Sequence, residues 1–158
     1  MEKFQYDDKK NIIGYASVTE DYFCYLYTGM FEGCASLKSF PTNPMGIIID
    51  GSCMANSGFE VFVINPAASF YGSGVFANMP KLKEVWINPS QWGMSISKEA
   101  FANLAGDVNI YFYTMTREEA IEMCGEEWLK NASEKAHFYF KDTIPAGAVL
   151  PEGVVIPK

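Results

Sequence analysis

Positive charge is scarce in this chain: 12 Lys and Arg stand against 19 Asp and Glu, and Arg117 is the lone arginine. A net charge of −7 argues against a nucleic-acid backbone or an anionic membrane surface as partner, since both select a basic face. Histidine occurs once, at His137, within Ala-His-Phe-Tyr-Phe, with no neighbouring nucleophile or orienting carboxylate, so proton-shuttle chemistry has little to work with. The four cysteines at 24, 34, 53 and 124 form no CxxC pair. With no HxH or HExxH, zinc-type coordination has no ligand set, and the thiols are expected to be free and buried. Gly72-Ser-Gly74 is too short for a phosphate-binding loop and reads as turn chemistry. No stretch approaches the roughly eighteen apolar residues of a membrane span. The opening Met-Glu-Lys-Phe-Gln-Tyr-Asp-Asp has no apolar run behind its charges. As written the chain reads as cytoplasmic, and a cell-surface or secreted protein whose leader had been removed would read the same way. Leucine occurs six times, against 12 phenylalanines and 9 tyrosines, so the core is expected to be aromatic. No cofactor and no catalytic residue is expected.

What the chain does have is a period. From Phe76, Leu82 lies six residues on, Val85 nine and Ile87 eleven. The same ruler placed on Phe31 reaches Leu37, Phe40 and Thr42; on Cys53 it reaches Phe59, Phe62 and Ile64; on Phe101 it reaches Asp107, Ile110 and Phe112. Five residues upstream stand Leu26, Ile48, Tyr71 and Ile96, and the four units start 22, 23 and 25 residues apart. Self-similarity at this spacing is the mark of a repeat stack, in which each unit buries its apolar face on the next. The reading is an α/β solenoid of short parallel strands in register, with at most one helical or 3₁₀ turn at Met30–Cys34, Ser52–Asn56, Val75–Met79 and Ala100–Leu104. Breakers fall between the strands at Pro41, Pro44, Gly46, Pro66, Gly72, Gly74, Pro89 and Gly93.

The ends differ from the middle. Residues 1–25 read as an N-terminal cap, with a β-hairpin around Asp7–Asn11, a turn at 19–21 and an aromatic strand over Tyr22–Tyr27. Residues 26–113 carry the repeats. Residues 114–141 read as a C-terminal helix–strand cap: Thr116-Arg-Glu-Glu119 is a capping box, Gly125 interrupts the helix, and His137–Phe140 is a strand. Residues 142–158, rich in Pro and Gly, read as an extended tail, and the whole 1–158 as one domain. The acidic run Glu118, Glu119, Glu122, Glu126 and Glu127 suits the first turns of helices.

The wording Met30-Phe-Glu-Gly-Cys-Ala-Ser-Leu-Lys-Ser-Phe, with Val75-Phe-Ala-Asn-Met-Pro-Lys-Leu-Lys-Glu-Val and Ala100-Phe-Ala-Asn-Leu, resembles the BspA-like leucine-rich repeats. Ser52-Cys-Met-Ala-Asn-Ser matches mainly by spacing. The resemblance covers residues 26–112, and Asn109–Leu129 is similar to the end caps of such proteins. It implies a right-handed solenoid of the kind found in gut bacteria and some protists, used in surface adhesion or protein binding, with no catalytic motif.

Binding is then expected on the outward side of the strands. One outward column holds Pro41, Val63, Trp86 and Tyr111; the next holds Lys38, Glu60, Lys83 and Val108. Equal positions on stacked strands lie about 4.8 Å apart, so Val63, Trp86 and Tyr111, flanked by Lys83 and Glu60, form either an exposed stripe of hot-spot composition or a stripe roofed by a cap or loop. The leading function is non-catalytic binding of a protein partner through this face. The alternatives are a small intracellular inhibitor or effector acting by steric or acidic mimicry, and a fragment of a bacterial surface adhesin.

Overall fold

Short apolar strands gain stability by hydrogen-bonding to neighbours, and here each neighbour is supplied by the next coil of the chain. The computed structural model describes residues 3–6 and 12–16 as backbone, and residues 23–38 and 46–157 with their side chains. Strands β1 (Lys3–Tyr6) and β2 (Ile12–Ala16) pair antiparallel, Lys3 opposite Ala16, as the expected hairpin. Its expected role as a cover, the turns at 7–11 and 19–21, and Phe40, Pro41, Thr42 and Pro44 lie outside the described residues. Among the described residues, β3 (Cys24–Leu26), β4 (Ile47–Asp50), β5 (Val61–Tyr71), β6 (Glu84–Pro89), β7 (Ser95–Ile96), β8 (Val108–Phe112) and β9 (Ala136–Phe140) form one sheet whose pairings are all parallel. The product is a β-solenoid of about four coils with very little helix, the short repeat stack that the spacing predicts.

Two strand stacks run through it, joined by β5. The first half of β5 pairs with β6, then β8 and β9 follow; its second half lies between β4 and β7, with β3 beyond β4. The register slips between Ile64 and Ala67, next to a cis Asn65–Pro66 peptide. At this corner the side chains form a ladder: Asn88 Nδ2 donates to Asn65 Oδ1 and Thr114 Oγ1 donates to Asn88 Oδ1, both at 2.8 Å.

The ruler's inward positions are core wherever they are described, Asp107 excepted. Leu37, Phe59 and Leu82, then Phe62, Val85 and Ile110, then Ile64, Ile87 and Phe112 are all buried, while Asp107 is exposed and the adjacent Val108 is buried in its place. The rings interlock, Phe76 stacking on Phe101 at 5.7 Å and meeting Phe70 edge-on at 5.5 Å. The upstream marker needs correction in two coils. Leu26 and Ile96 point inward, but Ile48 is half-buried and Tyr71 exposed, and the residues aligned with Leu26 are Ile49 and Phe70. Coil lengths differ, and along a strand a shift of one residue exchanges the two faces.

The leading segments are hydrogen-bonded turns, not helical turns. Their N–H groups reach across coils: Phe31 donates to the Cys53 carbonyl at 2.9 Å, Ser52 to Gly74 at 3.0 Å and Val75 to Ala100 at 2.8 Å. Asn56, Asn78 and Asn103 adopt left-handed φ of 57°, 56° and 58°, which stops a helix from propagating and which Asn tolerates better than most residues. The coils approach so closely that a Cβ on Gly58 would lie 2.0 Å from the Ala35 carbonyl oxygen.

Past β8 the capping box forms as expected. Thr116 Oγ1 accepts from Glu119 N at 3.3 Å, Glu119 Oε2 accepts from Thr116 N at 2.7 Å, and α1 (Arg117–Cys124) ends at Gly125, followed by α2 (Glu127–Lys130). Trp128 closes the core at 0% exposure. β9 extends the first strand stack, with Ile110 opposite Phe138 and Phe112 opposite Phe140. No helix among the described residues is long and apolar enough to cross a membrane.

Candidate binding face

Each strand stack has an inner face in the core and an outer face, because successive side chains alternate. On the first stack the outer column is Val63, Trp86, Tyr111 and Tyr139, directly aligned from strand to strand. Trp86 lies on Tyr111 at 3.9 Å and 13°, and Tyr111 on Tyr139 at 5.0 Å and 20°. The column that the period predicts therefore exists, and the ring stack is continuous. It is not an exposed stripe: Trp86 is 0% and Tyr111 5% exposed, because Ile144, Ala148, Val154 and Ile156 of the tail pack over them. The open form of the predicted site is corrected accordingly, the roofed form being the one observed. Trp86 Nε1 donates to Glu84 Oε2 at 2.9 Å, so its polar atom is satisfied under cover. Burial pushes the Tyr111 and Tyr113 hydroxyl pKa values up, the nearby Glu84 charge adding to the rise at Tyr111. Lys83 and Glu60 remain exposed beside the column and pair with each other at 3.2 Å.

On the second stack the outer column is Tyr25, Ile48, Ser69 and Ser95, again in register. Here nothing among the described residues lies on top. Tyr71, Trp92 and Phe23 are 60%, 66% and 41% exposed, and with Tyr25, Ile48 and Met123 they border an open hollow of about 610 Å³. Ser69 Oγ and Ser95 Oγ share a hydrogen bond of 2.8 Å on its floor, and the Tyr25 and Tyr27 rings stack at 4.5 Å. Trp92 reaches the hollow on a tight turn in which Gly93 N donates to the Ser90 carbonyl at 2.8 Å and Trp92 N to Ser90 Oγ at 3.3 Å. Cys124 Sγ donates to the Met94 carbonyl at 3.3 Å and fixes α1 against this turn.

Met123 also borders a second hollow of about 500 Å³, lined by Pro89, Thr114, Met115, Glu119 and Glu122. The charged side chains lining the two hollows are acidic. Tyr25 has its pKa raised, first by burial and then by the charge of Asp50, which pairs with Tyr71 across β4 and β5.

Sequence reasoning marked Tyr71 and the aromatic run at Tyr22–Tyr27 but took them as inward markers and cap. Trp92, between the breakers Pro89 and Gly93, it did not single out. The available signals were the polar Ser69 and Ser95 on one side of short strands, and a tryptophan beside a turn glycine, where packing alone does not ask for one.

Chemistry beyond binding finds few groups. His137 Nε2 lies 2.9 Å from Asp107 Oδ1 on the exposed side of the first stack, far along the chain from the open hollow. No disulfide joins the cysteines; burial pushes the Cys53 thiol up to about 12 and Cys124 to about 11, the opposite of a reactive thiolate. Among the described residues no group of three or more His, Cys, Asp or Glu is placed to hold a metal ion. Compared with protein-family models, with curated proteins and with solved structures, the chain matches none.

Proposed function

We propose that this protein is a non-catalytic protein-binding module, and that it takes its partner on the outer face of the second strand stack. The observation that carries the reading is the cluster of rings around one open hollow, Phe23, Tyr71 and Trp92 exposed and Tyr25 half-buried beside them. Large aromatic side chains left in water on a rigid floor are costly to solvate and lose little entropy on being covered, which is why they anchor interfaces. Asp50, which pairs with Tyr71 across the strands, Glu119 and Glu122 in the neighbouring hollow beyond Met123, and the chain's net charge of −7 favour a partner segment that carries Lys or Arg beside an apolar anchor. Membership in the BspA-like leucine-rich repeats belongs to the same proposal, supported by the wording of residues 30–40 and 75–85.

A displayed library of random peptides tests it. Peptides selected on the intact protein should combine aromatic or aliphatic residues with Lys or Arg, and Trp92→Ala or Tyr71→Ala should weaken their binding at least tenfold. Enrichment no greater than on an unrelated acidic protein, or binding indifferent to both substitutions, would refute the assignment.

A further inference from the structure

The segment roofing the first stack is attached in an unusual way. It leaves β9 through a turn closed by Thr143, whose hydroxyl accepts from the Phe140 N–H at 2.8 Å, and Ile144 N still bonds back to Phe140. Beyond that point, among the described residues, the backbone bonds of the tail stay within it: Ala148 N to the Pro145 carbonyl at 2.9 Å and Val154 N to the Pro151 carbonyl at 3.1 Å. Among the described residues no ion pair of Glu152 ties it down. Among the described residues the strap past Ile144 is thus held by side chains, Ile144, Ala148, Val154 and Ile156 packing with Trp86, Tyr111 and Tyr113, while Val149 and Val155 stand 86% and 76% exposed between them.

The floor does not depend on the roof. Its rings stack on one another, its strands are bonded in register, and Trp86 Nε1 is satisfied by Glu84 from the same strand, so lifting the strap would strand no polar group of Trp86. A preformed apolar floor with a chain segment laid over it by side chains, the last two of them, Val154 and Ile156, at alternate positions past the Pro151–Val154 turn, is the geometry of a receptor holding a short peptide segment.

We propose that the Trp86–Tyr111–Tyr139 ladder is a binding groove for a short aliphatic peptide segment, and that residues 144–157 occupy it as an exchangeable ligand in cis. The ligand class is read from the occupant: branched aliphatic residues two apart, as Val154 and Ile156, with proline nearby, as Pro151 and Pro157. A tethered segment has an effective concentration in the millimolar range, so a partner with the same chemistry gains entry when the tether's anchors are weakened or the partner is locally concentrated. This groove is distinct from the open face, and its test replaces Trp92 there only to leave the quenching signal to Trp86 and Trp128.

The experiment uses the full chain in a Trp92→Phe background, with the tail's anchors removed by Val154→Asp and Ile156→Asp, and a synthetic peptide of residues 143–157 as probe. The expected result is a folded variant with a cooperative melt and increased acrylamide quenching, which binds the peptide at least tenfold more tightly than the parent. A peptide bearing the same two aspartates should not bind. A variant that loses its cooperative melt would show the strap to be a wall of the core and overturn the proposal. So would a folded, quenchable variant that fails to take the peptide. A parent chain that forms concentration-dependent dimers with exchanged tails would assign the groove to a second copy instead.

Discussion

The outer columns of the two strand stacks are built alike and end differently. Val63, Trp86, Tyr111 and Tyr139 are aligned by the same parallel registers as Tyr25, Ile48, Ser69 and Ser95, yet the first column is roofed and the second faces water. The difference lies in the segment that follows the last coil. A repeating pattern determines which side chains lie over one another, since that is a matter of local spacing. Which column is covered is decided by one non-repeating stretch, whose four anchors are scattered over Ile144–Ile156. Of two aromatic surfaces in a solenoid, the one opposite the departing chain is therefore the better candidate for an interface.

The sharpest way to break this contrast is to truncate a ring in each column. Trp86→Ala empties a fully buried site and should cost about 3–5 kcal/mol, read from the denaturant midpoint. Trp92→Ala should stay within about 0.5 kcal/mol of the parent, because its ring is two-thirds exposed and touches little. Equal losses for the two would erase the distinction between covered and open faces.

Next in size is an alkaline effect that weighs on the core and the covered face. Cys53 and Cys124 rise from 9.0 to about 12 and about 11 through burial, with Tyr111 and Tyr113 raised as well. Between the unfolded and folded values the native state binds more protons than the unfolded state. The stabilisation is therefore complete below pH 9 and is lost as pH rises towards about 12, by about 1.4 kcal/mol per pH unit for each thiol kept protonated. Cys53→Ala should flatten the pH dependence of the melting temperature above pH 9, and an unchanged slope would contradict the burial of that thiol.

Smallest is the exposed pair beside the ladder. Lys83→Ala or Glu60→Ala should change stability by about 0.5 kcal/mol or less, and less still in high salt, since both side chains are more than half exposed. A double-mutant cycle measures it, and a coupling well above that value would mean that the tail's cover reaches further than its four anchors.

The fold was largely legible because a solenoid repeats its instructions. Leu82, Val85 and Ile87 mark one coil, Phe59, Phe62 and Ile64 the one before it, and their shared spacing leaves one arrangement that buries them all. The capping box at Thr116 was legible too, since its two reciprocal hydrogen bonds need only four residues. The site was less so. Tyr71 and Phe70 are adjacent aromatics, and which of them faces water depends on a register slip at Ile64–Ala67 that no period announces. Trp86 and Trp92 differ in fate for a similar reason: the tail that shelters one lies some sixty residues away in sequence. The asparagine ladder at the corner had a visible trace, Asn-Pro recurring at 43–44, 65–66 and 88–89, and it escaped because proline there is sufficient to explain a turn.

That corner ladder limits where this architecture can change length. Asn65 and Asn88 each stand one residue past the aligned Ile64 and Ile87, and their bond holds the chain up to that corner to the same count, so that additional residues have to be accommodated after it. Nine positions separate Ile87 from Ile96, whereas six separate the equivalent Ile64 and Phe70. The surplus is the Ser90–Gly93 turn, and Trp92 rides on it. In such a scaffold an insertion tolerated by the packing is also an outgrowth over the neighbouring sheet, so that new recognition residues arise at the point where the coil is free to lengthen.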